Sequence, residues 1–445
     1  MITYIIIVFT FAILLRTLVL FKYKFVGIDT FFHILRACVI KKEGRIKELT
    51  QRSSKIKQIL ITSRWWIYYP KLFDIFLSFF PHKFHKYFKF IPVIFDIFCM
   101  VILYLFTSSL FNSQVVILSL IIYSLSPILI LVCLSLSPRT FSNLFLILSS
   151  LMLLLYFLSH NFLFIIVSSF FVLFIYLSHK LTLQSLFVVF ISESLVFHSY
   201  APLVVLLFGF LASVILTKKS YLKILDSHIR LLKLFLTKGF KLRKKMKELI
   251  FTFGSFPFIL IFLFTQFSML YNNNVKTFIT TWFFSLFFAS LIWLWGDSYR
   301  YMTNAVFPGS ILAAITIDLN NFLFSYVFFF SALFSLFGII KIFKIFSKPP
   351  RIINSDIISC FNYVKRHCTQ NDILVTIPFQ YYTAAAYFTK IQSFGLRGKD
   401  IKVVLSKGRI LNKKVSWIVS NSKISSKIFK LKFSSKNFFV YKCLR

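Results

Sequence analysis

Long apolar runs recur along the chain and are separated by short polar breaks. The first run covers residues 2–21, and about 20 apolar residues are enough for a helix to cross the hydrocarbon core of a bilayer. This run has no basic region in front of it and no small-residue cleavage site, so we predict an uncleaved first transmembrane helix. The runs are continuously apolar rather than alternating, which favours a helical bundle over a transmembrane barrel.

The remaining runs predict a polytopic bundle. Between residues 91 and 216 the pattern predicts about six further spans, separated by the breaks FNSQ, LSPRTFSN, SHN, SHKLTLQ and FHSYAP. Four more spans are predicted at 249–270, 278–295, 301–317 and 322–346. Together with the first run, this gives an all-α membrane bundle of about eleven transmembrane helices.

Two polar segments and a C-terminal region break this pattern. Residues 22–90 are rich in Lys and Arg and then in Trp and Tyr, which suits an interfacial helix at headgroup depth. Residues 217–248 place apolar residues at helical spacing with Lys or Arg between them, which predicts a basic amphipathic helix on the membrane surface. After residue 346, helix-like DIISCFNYVKRHC precedes strand-like DILVTIP and VSWIVSN. We therefore predict a membrane domain over 1–346 and a small α/β domain over 347–445.

Composition supports the membrane assignment and restricts the partners. The chain is 58% hydrophobic, above the roughly half that is typical of soluble domains. Its 52 Lys and Arg against 13 Asp and Glu give a net charge of +39, which in a soluble protein would favour nucleic-acid binding. In a bundle this excess fits loops that lie against anionic headgroups, so no nucleic-acid partner is expected. The six cysteines form no CxxC pair, and we predict neither a metal site nor a required disulfide.

The string GIDTFFHILRA follows the first predicted helix and contains the first carboxylate of the chain. Asp29 and His33 stand at i and i+4, so they share one face of a helix. Asp29 fits two interpretations, an N-cap of the next helix or a catalytic base. Further on, Tyr69 and Asp74 lie in WWIYYPKLFDIFLSFFP. This string reads either as part of the site or as an interfacial anchor in which Asp74 faces water.

Later polar breaks place cations at predicted helix boundaries. Lys and Arg at such boundaries either snorkel to headgroups or bind an anionic ligand. Arg300 stands among Trp and Tyr residues with Asp297 nearby. A guanidinium binds phosphate oxygens bidentately, so Arg300 is a candidate phosphate ligand. A structural Asp297–Arg300 pair is the alternative. The candidate binding residues in these breaks are Arg139, His179, Lys180, Arg300 and Tyr301, and the earlier strings add His33 and Tyr69.

Taken together, these strings resemble the GT-C superfamily of membrane glycosyltransferases, in particular prokaryotic members related to the protein mannosyltransferases and the aminoarabinose transferases. The matching strings are GIDTFFHILRA, YYPKLFDIFLSFFP, SPRTFSN, SHKLTLQ and GDSYRYMTNAVFP. The resemblance implies transfer of a sugar from a polyprenyl-phosphate-linked donor to a lipid, glycan or protein acceptor. It assigns the transfer step to Asp29 and contact with the carrier phosphate to Arg300. Many relatives carry two adjacent acidic residues where this chain has Asp29 and Thr30, so the motif does not support a divalent metal and no cofactor is expected.

The resemblance also implies a location. It places the first loop (22–90), the active site and the C-terminal domain on the extracytoplasmic side of a prokaryotic plasma membrane. The charge pattern disagrees, because the positive-inside rule would make the face carrying segments 22–90 and 217–248 cytoplasmic.

Other function classes have less support in the sequence. The chain has no Walker loop, HExxH, GxSxG or GxGxxG, so kinase, hydrolase and metalloprotease chemistry lacks its residues. A single strong acidic candidate favours an inverting displacement over a two-carboxylate retaining one. Two alternatives stay open: a polytopic transporter or lipid flippase, which would place polar residues at mid-membrane, and a non-catalytic membrane assembly subunit.

Overall fold

The computed structural model describes most of the chain. Tyr69, Asp297, the aromatic residues before Tyr69 and most of the predicted surface segment 217–248 lie outside the described residues. The described residues are 2–22, 26–27, 29–43, 70–217, 221–222, 224–226, 229, 250–264, 273–292, 298–319, 323–347, 353–396, 399–410 and 413–444.

The helices begin where the sequence offers caps or prolines. Asn112 accepts the Val115 N–H at the start of one helix, and Asn354 accepts the Ile357 N–H at the start of another. The α-helices before the C-terminal region are α1 Ile2–Lys22, α2 Thr30–Glu43, α3 Leu72–Ser78, α4 Ile91–Leu110, α5 Ser113–Ser124, α6 Pro127–Cys133, α7 Arg139–Ser159, α8 Leu163–Ser178, α9 Lys180–Val196, α10 Ala201–Leu216, α11 Asn274–Ile292, α12 Met302–Leu319 and α13 Leu323–Phe346. Short 3-10 helices cover His82–Phe90, Pro257–Phe264 and Ser298–Tyr301.

Several of these helices have the length and composition of membrane spans. Among the described residues, 4 helices qualify, or up to 5 if α5 and α6, which meet at a bend of 53°, form one broken span. Three predicted spans correspond to shorter apolar helices. The prediction of about eleven spans is therefore not confirmed, while the multi-pass character of the chain is. The 4 helices are Ile2–Lys22, His82–Leu110, Arg139–Ser159 and Ser325–Phe346.

The chain divides into two compact units. The larger unit is the helical bundle, in which α7, α8 and α10 pack in a row and α12 packs against α5 and α11. In this unit a fully buried ion pair between Arg16 Nε and Asp96 Oδ2 joins α1 to α4. The other carboxylate oxygen of Asp96 accepts a hydrogen bond from the Tyr123 hydroxyl on α5 at 2.9 Å. The bundle consists of the described residues of Met1–Leu18, Tyr69–Phe73 and Phe90–Lys344.

The smaller unit combines the C-terminal region with residues from the first polar segment. Its described part contains a five-stranded mixed sheet in the order β2-β1-β5-β7-β6, with β1 parallel to β2 and β5. The predicted helix and both predicted strands are present, as α14, β1 and β5. The unit comprises the described residues of Val19–Tyr68, Asp74–Lys89 and Ile345–Arg445. Its C-terminal elements are α14 Ser355–His367, β1 Ile373–Ile377, α15 Tyr382–Thr389, β2 Gln392–Gly395, α16 Lys399–Lys407, β3 Arg409–Ile410, β4 Lys413–Lys414, β5 Trp417–Ser420, β6 Phe429–Ser435 and β7 Phe438–Cys443.

Candidate functional site

Asp29 stands directly before α2 in the smaller unit. Its carbonyl oxygen accepts the His33 N–H at 3.2 Å, so it occupies the position of an N-cap residue. The side chain is half-buried, and none of the described residues donates a hydrogen bond to its carboxylate. The carboxylate therefore caps no described backbone amide, and both interpretations of Asp29 remain predictions.

His33 is bound to a carboxylate other than Asp29. Its Nδ1 lies 2.7 Å from Oδ1 of Asp74, and Arg36 Nε lies 2.9 Å from Oδ2 of the same carboxylate. All three side chains are almost fully buried. The expectation that Asp74 faces water is wrong, because a buried carboxylate needs a charged partner and α2 supplies both an imidazole and a guanidinium.

The His33–Asp74 pair has a chemical consequence. In a neutral imidazole, a carboxylate at Nδ1 favours the tautomer with its proton on Nδ1, which leaves the lone pair on Nε2. Arg36 balances the charge of Asp74. Sequence reasoning missed Arg36, although it stands three residues after His33 and the i,i+3 rule would have placed both on one face of α2.

The other predicted residues that the structure describes lie in the helical bundle at the starts of α7, α9 and α12, and hydrogen bonds near these starts link α7 to α9 and α9 to α12. Ser142 on α7 lies 2.7 Å from Thr182 on α9. Tyr301 donates to Gln184 at 3.2 Å, and Asn304 donates to Ser185 at 2.6 Å. The N-terminal ends of these three helices therefore lie together.

Each of the three helix starts carries a predicted cation. Arg139 is the first residue of α7, Lys180 is the first residue of α9, and Arg300 lies in the 3-10 helix that leads into α12. All three side chains are partly buried. Helix N-termini carry partial positive charge and free N–H groups, so cations at three joined N-termini form an arrangement suited to an anion.

His179 and Tyr301 help to hold this arrangement together. His179 is the N-cap of α9, with its Nδ1 accepting the Thr182 N–H at 3.3 Å and lying 2.9 Å from the Thr182 hydroxyl. Tyr301 is 1% exposed and joins its 3-10 helix to α9. Ser142, Thr182 and Gln184 were missed by sequence reasoning because neutral polar residues carry little signal without a known neighbour. No group of three or more His, Cys, Asp or Glu side chains suited to a metal ion occurs among the described residues.

No family model and no curated protein matches the sequence, but solved structures do. The oligosaccharyltransferase of Archaeoglobus fulgidus with Zn and sulfate superposes with a TM-score of 0.59 and 12% identity over 94% of this chain and 68% of that chain. The same enzyme tethered with an acceptor peptide containing the NVT sequon superposes with a TM-score of 0.60 and 11% identity, over 94% of this chain and 69% of that chain. The structure of that enzyme in complex with an inhibitory peptide and a dolichol-phosphate superposes with a TM-score of 0.56 and 11% identity, over 94% of this chain and 69% of that chain.

This chain has the fold of the archaeal oligosaccharyltransferase. The GT-C resemblance inferred from five short strings is thereby confirmed at the level of the fold. At 11–12% identity the likeness carries no individual residue role. The roles of Asp29 and of the cations are therefore argued from their own surroundings.

Proposed function

We propose that this chain transfers a sugar from a polyprenyl-phosphate-linked donor to a lipid, glycan or protein acceptor at the extracytoplasmic face, with inversion. The observation that carries the proposal is the meeting of three cation-bearing helix starts in a GT-C fold. A transporter would instead need polar residues along a path at mid-membrane.

The helix starts suit the leaving group of such a donor. When the sugar departs, negative charge develops on the carrier phosphate, and preorganised cations and helix dipoles stabilise it. Arg139, Lys180 and Arg300 provide these cations, and Arg300 provides a planar fork that matches two phosphate oxygens. The dolichol-phosphate bound to a structural neighbour supports this class of carrier.

Acceptor activation needs a base. Asp29 combines a carboxylate with partial burial and has no described hydrogen-bond donor, so it is able to receive a proton from an acceptor hydroxyl. One carboxylate acting in a single displacement inverts the anomeric centre, whereas a retaining mechanism uses two. The acceptor peptide tethered to a structural neighbour supports a protein acceptor among the three classes.

The proposal is tested by incubating the purified full chain with a panel of polyprenyl-phosphate sugars and membrane-derived acceptors. We expect transfer with at least one donor and its loss in Asp29→Asn. Asp226→Asn, the same change at an exposed carboxylate, serves as the matched control and should keep the activity. Movement of a lipid-linked sugar across proteoliposomes without any transfer would replace this proposal by the flippase alternative.

A further inference from the structure

A second group of cationic side chains lies in the smaller unit, on the other side of α2 from the His33–Asp74 pair. Phe31 on α2 packs on Tyr387 of α15 with ring centroids 5.1 Å apart. Residues two apart on a helix point about 200° apart, so Phe31 and His33 face opposite directions. The cluster around Tyr387, named here the Tyr387 cluster, consists of Lys41, His82, His85, Tyr387 and Lys390.

The Tyr387 hydroxyl is the centre of the cluster. It lies 3.2 Å from His85 Nδ1 and 3.4 Å from His82 Nε2. Burial, assisted by Cys38, raises the pKa of Tyr387 to about 12, so the phenol keeps its proton. With one proton to give, the phenol donates to one imidazole and accepts from the other. One imidazole N–H is therefore committed to Tyr387, while the imidazole that accepts the hydrogen bond from the phenol carries its own N–H on its second nitrogen.

Two lysines place ammonium groups around these rings. Lys390 Nζ lies 4.6 Å from the centroid of the Tyr387 ring, and Lys41 Nζ donates to the Phe80 carbonyl at 3.2 Å. Both lysines and His82 also act electrostatically on His85. His85 and Tyr387 are buried, while both lysines and His82 are exposed. The cluster thus has exposed cations above a buried hydroxyl and imidazole.

The backbone at Lys390 is in a costly conformation. Its φ of 64° lies in the left-handed region, at the position after α15 that glycine usually takes. A lysine there is strained, and strained residues of this kind concentrate at functional sites. In return, the conformation places the Lys390 ammonium over Tyr387.

The segment that carries both histidines has the character of a membrane interface. The 3-10 helix His82–Phe90 runs directly into α4, and together they form one of the helices apolar enough to cross a membrane. Phe84 and Tyr87 are 40% and 51% exposed, with Lys83 and Lys86 lying over their rings. Aromatic rings paired with lysines at the end of a span are typical of headgroup depth.

We propose that the Tyr387 cluster binds the phosphate group of an anionic membrane lipid. The ammonium groups of Lys41 and Lys390 and an imidazole N–H donate to the phosphate oxygens, and the cations balance their charge. The Tyr387 cluster shares no residue with the three helix starts of the bundle. The inference holds whether or not the chain transfers sugar.

Binding is measured on the full chain in neutral detergent by native mass spectrometry. The probes are short-chain phosphatidylglycerol, short-chain phosphatidylcholine and inorganic phosphate. We expect phosphatidylglycerol to bind, and Lys41→Gln with Lys390→Gln to weaken it by about thirtyfold. The matched control, Lys430→Gln with Lys436→Gln, removes two exposed lysines of the same unit and should change binding by less than about twofold.

Lys390→Gly separates binding from folding. Glycine relieves the left-handed strain, so the melting temperature should stay unchanged or rise while lipid binding weakens by about fivefold. Equal phosphatidylglycerol binding by the wild type and the double variant would overturn the site. Inorganic phosphate binding as tightly as the lipid, with the same loss in the double variant, would overturn the lipid source and assign the cluster to free phosphate.

Discussion

At Asp29, capping and catalysis require different properties from the same side chain. A cap needs only an oxygen acceptor, whereas a general base needs a titratable carboxylate. Asp29→Asn should therefore change stability by only a few tenths of a kcal/mol, since Asn caps about as well as Asp. Sugar transfer should fall by at least about a hundredfold. Thermal unfolding and transfer are measured on the same preparation, and near-normal transfer would leave Asp29 as a cap.

Asp74 neutralises a buried arginine, and this gives a stability prediction. Asp74→Ala leaves Arg36 buried without its carboxylate, which should cost about 3–5 kcal/mol. Adding Arg36→Met removes the unpaired charge, so the double variant should recover part of the loss. The measurement is a double-mutant cycle by thermal unfolding in detergent. Additive losses would show that the two side chains are not coupled.

Arg300 is assigned to the carrier phosphate because of its planar fork. Arg300→Ala should weaken donor use by about ten- to a hundredfold, the value of one or two hydrogen bonds to a charged group. Arg300→Lys should keep the charge but lose the bidentate geometry, so its activity should lie between that of the wild type and that of Arg300→Ala. Lys344→Ala, at an exposed cation of α13, is the control. Equal kcat/KM in all four proteins would remove Arg300 from the site.

Among the elements of the smaller unit, β2 closely approaches the short 3-10 helix Phe379–Tyr381, which follows β1, at a glycine. A Cβ on Gly395 would lie 2.5 Å from the backbone oxygen of Phe379, and backbone cannot move aside as a flexible side chain does. Gly395→Ala should therefore destabilise the sheet by about 1–3 kcal/mol. Gly254→Ala is the control, because a Cβ there meets nothing within 4 Å. A melting temperature unchanged in Gly395→Ala would contradict this packing.

Cysteine labelling can determine on which face of the membrane the smaller unit lies. Cys368 is a poor reporter, since burial and Asp372 raise the pKa of its thiol and slow its reaction with maleimide. We propose Lys436→Cys instead, in the exposed turn between β6 and β7, in a chain without other cysteines.

Labelling of intact cells with an impermeant maleimide then decides the orientation. In the extracytoplasmic assignment, a cysteine at position 436 reacts in intact cells. Asn161→Cys, at the end of α7 opposite Arg139, should react only after permeabilisation, because α7 has the length of a membrane span. If position 161 reacts in intact cells and position 436 reacts only after permeabilisation, the Tyr387 cluster and the three helix starts face the cytoplasm. That result would remove support for an extracytoplasmic transfer reaction.

Local patterns were enough to predict the kinds of element in this protein, although the predicted number of membrane spans is not confirmed among the described residues. The apolar runs predicted its multi-pass helical character, and the change after residue 346 predicted α14, β1 and β5, because periodicity and length are properties of neighbouring residues. Polar breaks likewise predicted that Arg139, Lys180 and Arg300 stand at helix boundaries, since a helix start is marked by its own sequence.

Only the tertiary structure decided which side chains meet. His33 and Asp74 are 41 residues apart, and His85 and Tyr387 are 302 apart. Such pairs depend on how helices and strands pack, and the local pattern left open whether Asp74 faces water. The structure shows that Asp74 is buried, and a buried carboxylate is stable only beside the cations that the fold brings to it.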